Sequence, residues 1–236
     1  MPSPVNRRPL VLIPGLLCSN RLWQPQIDAM RSTAECWVVD PTRHEEMGVL
    51  AATLLQEIPF PRFALAGLSM GGYVALEIMR QAPDRVTQLA LLSTTARPDS
   101  PEKTANRRRL MALADHGRFA GVSAALLPQF IHPSRLGDAA LSATIRDMAQ
   151  VVGKDAFLRQ QRAIMSRRDS RPHLGAIRCA TLVLCGRGDV LTPLEDHEEI
   201  ARLIPGATLE VIGDCGHLGP LERPEAVSGA MRAWLV

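Results

Sequence analysis

Aromatic residues are scarce in this chain of 236 residues, which holds one tyrosine, three tryptophans and five phenylalanines. Its basic residues are not interleaved with rings, so a surface that stacks nucleic-acid bases is not expected. Cysteine is sparse and odd in number. Cys18, Cys36, Cys179, Cys185 and Cys215 form no C-x-x-C pair and no zinc-ligand spacing, a pattern that fits a reduced cytoplasmic compartment in which each thiol packs as a small hydrophobe. No His/Asp/Glu cluster has metal spacing, and no glycine-rich fingerprint matches a dinucleotide or P-loop site. Neither a metal nor a cofactor is therefore implied. Long apolar runs are also missing: none approaches the length of about 20 residues needed to cross a bilayer, so a soluble protein with no membrane partner is expected. Arg7 and Arg8 ahead of Leu10–Ile13 imitate a secretory signal, but Pro14-Gly15 breaks the run and Leu17 is too large for the position before a processed cysteine. The run reads instead as a first core strand.

What the chain has is an alternation of two patterns. With 46% hydrophobic and 22% charged residues it can build one sizeable α/β unit. Short β-branched or apolar runs predict strands at Leu10–Ile13, Cys36–Val39, Phe63–Ala66, Val86–Leu92, Thr181–Cys185 and Thr208–Ile212. Helical periodicity predicts helices near Leu22–Arg31, Gly48–Gln56, Met70–Gln81, Pro193–Leu203 and Pro224–Leu235. This is an α/β arrangement, a mostly parallel sheet of about six strands covered by helices on both faces. Between Pro98 and Pro172 the strand pattern stops, and helix-like stretches follow at 102–116, 118–127, 138–151 and 153–168. The expected organisation is a core of residues 1–97 and 173–236 with a helical cap inserted at 98–172.

Gly67-Leu68-Ser69-Met70-Gly71 sits between the Phe63–Ala66 strand and the helix that begins at Met70. A serine at such a tight turn is held out of the sheet edge. The turn leaves little room for side chains two residues before and after it, which Gly67 and Gly71 satisfy, and Gly72 adds slack. The helix that follows turns its N-terminal N–H groups toward the serine, where they can stabilise negative charge. A nucleophilic serine needs an imidazole to take its proton and a carboxylate to orient the imidazole. Both stand at later strand ends. Asp189 follows Thr181–Cys185 through Gly186-Arg187-Gly188, and His217 follows Thr208–Ile212 through Gly213-Asp214-Cys215-Gly216. The remaining histidines, His44, His116, His132, His173 and His197, lie in a loop, the cap or a helix without serine-pairing context and are read as surface or local hydrogen-bonding residues. Asp84 and Asp196 fit helix ends, and Asp214 shares a loop with His217, which leaves Asp189 as the orienting acid.

The order Ser69, Asp189, His217 resembles that of the α/β-hydrolase superfamily. The resemblance runs over essentially the whole chain, through Gly-Leu-Ser-Met-Gly-Gly, Gly-Arg-Gly-Asp-Val-Leu-Thr-Pro and Cys-Gly-His-Leu-Gly-Pro-Leu-Glu-Arg-Pro-Glu. It implies an α/β-hydrolase fold and a serine hydrolase that cleaves a small carboxylic ester through an acyl-enzyme. It also implies oxyanion donors from the backbone of Met70 and of the loop after the first strand, where Leu16 fits and Leu17 is the alternative. Pro14-Gly15 stands where many relatives carry His-Gly, and Asp40–Glu46 lacks a glycine-rich loop that many relatives have. The capped pattern is similar to 3-oxoadipate enol-lactonases and pimeloyl-carrier methyl esterases, both with acidic substrates. A reading of another class is a ligand-binding sensor that keeps the triad.

Substrate selection falls to the cap and the loops beneath it. Leu126, Leu127, Phe130, Ile131, Phe157 and Met165 are candidate pocket residues in the cap, with Leu17 and Leu218 below. The cap carries 13 Lys/Arg against 7 Asp/Glu, whereas the rest of the chain carries 14 against 17. Arg107-Arg108-Arg109, Arg159, Arg162, Arg167 and Arg168 could steer an acidic small molecule or an acidic carrier protein to the entrance.

Overall fold

The computed structural model describes residues 7–119 and 121–236. Six strands, β1 (Arg8–Ile13), β2 (Ala34–Val38), β3 (Phe63–Leu68), β4 (Val86–Leu92), β5 (Ala180–Gly186) and β6 (Thr208–Ile212), form one sheet in the order β2-β1-β3-β4-β5-β6. All five pairings are parallel. β3 is buried at every position, while the edge strands β2 and β6 alternate between covered and exposed residues. That contrast follows from position: an inner strand of a doubly covered sheet has no solvent face.

Ten α-helices accompany these strands among the described residues: α1 (Gln24–Met30), α2 (Met47–Glu57), α3 (Met70–Gln81), α4 (Pro101–Leu113), α5 (Leu127–Phe130), α6 (Ala139–Ser166), α7 (Arg171–Leu174), α8 (Leu194–Leu203), α9 (Gly219–Glu222) and α10 (Pro224–Leu235). Because side chains alternate along a strand, each central strand feeds two apolar layers. Leu10, Leu12, Ala64, Ala66, Leu182 and Leu184 face one layer with Trp23, Met30, Met231 and Leu235. Val11, Ile13, Leu65, Leu89, Leu91 and Val183 face the other with Leu50, Leu54, Val74, Ile78 and Ile200. This is the α/β-hydrolase fold.

The chain runs outward from β1 in both directions, to β2 on one side and to β3 on the other. The loops that leave β1 and β3 therefore diverge, and a crevice opens at the carboxyl ends of these two adjacent strands. Ile13 pairs with Gly67 there, two residues before Ser69.

The helices between β4 and β5 differ from expectation at one place. Among the described residues of 118–127 no helix spans the stretch: after α4 a wide turn covers Ala114–Arg118, and the next α-helix is the four residues of α5. Gly117 and Gly121 both adopt positive φ, at 77° and 60°, and so break the right-handed run. Pro128, which lacks an N–H, stands in the first turn of α5, where none is needed. Ala120, within the expected stretch, lies outside the described residues, as do residues 1–6 of the expected core. The boundary expected between 138–151 and 153–168 does occur. Gly153 takes φ 76° and ψ 174° and divides α6 into two helical halves. No helix among the described residues is long and apolar enough to cross a membrane.

Candidate active site

Ser69 occupies a strained backbone position, φ 57° and ψ −115°, between the last residue of β3 and the first of α3. A non-glycine residue held there costs on the order of 1–3 kcal/mol, a strain that persists only where surrounding contacts impose it. Those contacts are visible. Ser69 N–H donates to the Leu92 carbonyl at 2.9 Å, and the Ser69 carbonyl accepts from Gly72 N at 2.9 Å and from Thr94 Oγ1 at 2.8 Å. A Cβ on Gly67 would strike the Gly71 carbonyl, and one on Gly71 would strike the carbonyl of Ile13. Gly72 is not slack, as the sequence suggested: a Cβ there would run into the Thr94 side chain.

Thr94 is held in turn by a residue read from sequence as a surface or local hydrogen-bonding one. His197 is fully buried; its Nε2 accepts from Thr94 N at 2.9 Å, which leaves Nδ1 to donate to the Pro193 carbonyl at 3.1 Å. With both nitrogens committed and burial pushing its pKa down, this imidazole is a neutral brace for the serine turn.

Asp189 and His217 meet although 28 residues separate them. His217 Nδ1 lies 2.8 Å from Asp189 Oδ2, and both residues are buried. The carboxylate is saturated with donors: Thr192 Oγ1 at 2.7 Å on Oδ2, and the N–H groups of Leu191 at 2.9 Å and Thr192 at 3.0 Å on Oδ1. Burial raises its pKa, but the His217 charge and these hydrogen bonds outweigh burial and hold it at about 2. The Asp189 carboxylate accepts from His217 Nδ1–H, which turns Nε2 away from it, with no partner among the described residues. The His217 main chain is fixed as well: His217 N and Leu218 N both donate to the Phe130 carbonyl, at 3.0 and 3.1 Å.

Glu222 is a buried neighbour of His217 that sequence reasoning passed over. Fully buried, it accepts from Gly216 N at 3.0 Å, Leu218 N at 3.0 Å and His132 N at 2.7 Å. It thus clamps the residues on both sides of His217. Burial pushes its pKa up, against the pull of those three N–H groups. Its place five residues after His217 in the quoted motif was the available signal.

Sequence left two first-loop donors open, and hydrogen bonding separates them. Leu17, at φ 59°, donates its N–H to Gln160 Oε1 at 3.2 Å. Leu16 N–H and Met70 N–H find no acceptor among the described residues. Gln160 is fully buried on α6 and also donates from Nε2 to the Pro41 carbonyl at 3.4 Å. One amide therefore ties the loop after β1 to the chain beyond β2 and to the inserted helices. No sequence pattern marked it.

Ser69 and His217 line one cavity of about 390 Å³, together with Leu16, Leu17, Leu126, Phe130, Phe157 and Leu218. Leu127 and Ile131 do not line it; both are buried in the apolar layer alongside. Leu126 and Phe130 sit four residues apart on one stripe, and Leu127 and Ile131 form the next stripe, rotated away by about 100° as helical spacing requires. Met165 is also absent from the lining. Leu110, Leu113, Phe119, Val122, Ile145 and Met148 complete the apolar wall, and α4 supplies more of it than its sequence suggested. The Met70 side chain is buried and does not line the cavity. Cys18 lines the cavity with its thiol pKa pushed up to about 12 by burial, which disfavours the thiolate that a nucleophile would need. Among the described residues no group of three His, Cys, Asp or Glu side chains is placed to hold a metal ion.

A buried carboxylate–imidazole pair and a strained serine that meet at one cavity bear on what the chain resembles among known proteins. A family model described as alpha/beta hydrolase fold matches residues 8–224. The chain belongs to the α/β-hydrolase family. It is 27% identical to a putative carbamate hydrolase of Caulobacter sp., over 98% of this chain and 91% of that protein. It is 31% identical to a pimeloyl-[acyl-carrier protein] methyl ester esterase of Aromatoleum aromaticum, over 78% of each. Among solved structures, a thermophilic esterase from Thermogutta terrifontis, described as malate bound, shares 31% identity at a TM-score of 0.85, with 97% of this chain and 89% of that chain covered. As a member of this family the chain is a hydrolase.

Proposed function

We propose that the chain hydrolyses carboxylic esters of small molecules through an acyl-enzyme on Ser69. The observation that carries this reading is the buried Asp189–His217 pair at 2.8 Å, on the same cavity as a serine held at φ 57°. His217 Nε2 takes the Ser69 hydroxyl proton as Oγ attacks the acyl carbon. The N–H groups of Leu16 and Met70, which have no other acceptor among the described residues, receive the oxyanion; each such donor is worth roughly 3 kcal/mol in the transition state. Protonated His217 then gives its proton to the leaving alcohol, and Asp189 balances the transient imidazolium. In the second half water attacks the acyl carbon, His217 accepts the water proton and returns it to Ser69, and the acid departs. The apolar wall from the inserted helices limits competing water around the acyl group.

The test is steady-state hydrolysis of p-nitrophenyl esters of increasing acyl length by the wild-type chain and by Ser69→Ala. Many turnovers that disappear in the variant are expected, with a length preference that sizes the cavity. Equal turnover in both proteins would refute the assignment. The relatives include a methyl ester esterase and a putative carbamate hydrolase, and hydrolysis of either bond transfers an acyl or carbamoyl group to water, as this machinery would.

A further inference from the structure

The cavity is not apolar throughout. Beyond the serine, α3, α4 and α6 contribute Tyr73, Lys103, Asn106, Arg107 and Gln161 to its wall. Counting hydrogen bonds shows what this wall lacks. Asp99, whose side chain is 3% exposed, is consumed by two arginines: Arg107 Nε at 2.6 Å and Arg167 Nη2 at 2.8 Å. Burial raises its pKa, but these two cations hold it below the ordinary carboxylate range. The Arg167 guanidinium also lies 4.2 Å over the Tyr73 ring. Gln161 Oε1 accepts from Arg107 Nη1 at 2.8 Å, and Asn106 Oδ1 accepts from Arg109 Nη2 at 3.0 Å.

The Asp99 carboxylate and the side-chain oxygens of Gln161 and Asn106 are thus engaged, whereas several donors are not. The Lys103 ammonium, the side-chain NH₂ groups of Asn106 and Gln161 and the Tyr73 hydroxyl have no partner among the described residues. Asp99 with its two arginines carries one net positive charge, and Lys103 adds a second. A wall of spare donors with a positive balance is complementary to an anion with several acceptor lone pairs.

We propose that this wall is a carboxylate subsite and that the favoured substrates are monoesters of short dicarboxylic acids, with the free carboxylate against Lys103, Asn106 and Gln161 and the ester carbonyl at Ser69. Tyr73 stands four residues along α3 from Ser69, a rise of roughly 6 Å, and the cavity of about 390 Å³ that holds both Ser69 and this wall has room for a short acyl chain. The reaction part rests on the acyl-enzyme reading; the binding part does not. Hydrolysis of the monoester anion consumes one water and yields the alcohol, the dicarboxylate and one proton released to solvent, which makes the dicarboxylate itself a probe of the subsite.

The first arm is calorimetric titration of glutarate and of its neutral dimethyl ester into Ser69→Ala, chosen so that the ester is not consumed. Glutarate should bind at least tenfold more tightly than the diester. Lys103→Met, at an exposed position, should weaken glutarate about tenfold, as expected for loss of a charge-assisted contact. Gln161→Glu, which sets a carboxylate into the wall, should abolish binding in protein whose circular dichroism is unchanged. Equal affinity for diacid and diester, no detectable glutarate binding to folded protein, or no effect of both substitutions would overturn the subsite. The second arm compares wild-type kcat/KM on monomethyl and dimethyl glutarate. Glutarate binding without turnover of either ester would remove the acyl-enzyme reading and leave the subsite standing. Equal turnover of both esters without glutarate binding would do the reverse.

Discussion

The strand-end loops and the inserted helices meet at the same cavity but treat their polar groups in opposite ways. At the strand ends polar groups are closed off. Asp189 is saturated by four donors, Glu222 by three backbone N–H groups, and His197 is used at both nitrogens. On the inserted helices Lys103, Asn106 and Gln161 keep donors without partners among the described residues. Part of the basic complement of the insertion is engaged within the chain. Arg107 and Arg167 share Asp99, Arg162 pairs with Glu45 at 2.5 Å, and Arg159 donates to the Thr42 carbonyl at 2.8 Å. On the proposed reading the difference is a division of labour: bond-making groups sit where the backbone over-determines them, and selecting groups sit where hydrogen-bonding capacity is left over.

This comparison is broken most directly at the rigid side. Ser69→Ala and His217→Ala are each expected to lower kcat by about 10⁴-fold or more. The thermal unfolding temperature should shift little for Ser69→Ala and fall for His217→Ala, which leaves the buried Asp189 carboxylate without its imidazole partner. A drop in the kcat of Ser69→Ala that tracks unfolding would count against the assignment. Asp189→Asn should cost about 10³–10⁴-fold, since a neutral amide no longer holds the imidazole proton on Nδ1. An unchanged pH–rate profile with full kcat would sink the role given to Asp189.

Gln160→Leu probes where the two regions touch. It frees the Leu17 N–H at a strained φ and loosens the loop that presents Leu16, so kcat should fall roughly 10–100-fold, at most the worth of one oxyanion donor. KM should hold, and Gln160→Glu, which keeps the acceptor, should recover part of kcat. A change in KM alone would mean that Gln160 shapes the cavity and not the donor. On the selecting side, Leu126→Ala should leave kcat for short acyl chains within a few-fold and shift the preference toward longer ones; an unchanged length profile would remove Leu126 from the pocket.

The smallest effect separates the two buried carboxylates beside His217. Asp189 has its pKa depressed to about 2, so it adds stability above its unfolded value, near 4, and that stability is lost as pH falls from about 4 to about 2. The linkage is on the order of 2 kcal/mol. Glu222 is shifted the other way. Its contribution is greatest below its unfolded value and declines as pH rises toward the folded one. Denaturant unfolding between pH 2 and pH 6 should therefore show Asp189→Asn flattening the acid limb and Glu222→Gln steepening it. Glu222→Gln should also cost about 1–3 kcal/mol, because an NH₂ group then faces a backbone N–H in a buried site.

By itself the sequence determined the sheet, the serine turn and the order of the three site residues. Strand runs, helical periodicity and the glycines at 67 and 71 are local signals, and the helices and strands they predict form within a few residues of the expected bounds. The break at Gly153 was legible for the same reason. The missed stretch at 118–127 was not, because its composition suits a helix and only the left-handed conformations of Gly117 and Gly121 deny it one. Tertiary structure alone decided which neighbours complete the site. Gln160 reaches Leu17 across 143 residues and Glu222 reaches His132 across 90; the wall of spare donors is assembled from α3, α4 and α6. Such pairings carry no periodicity and no fixed spacing. They are set by which strand ends the sheet order brings together and by the requirement that each buried polar group find a partner.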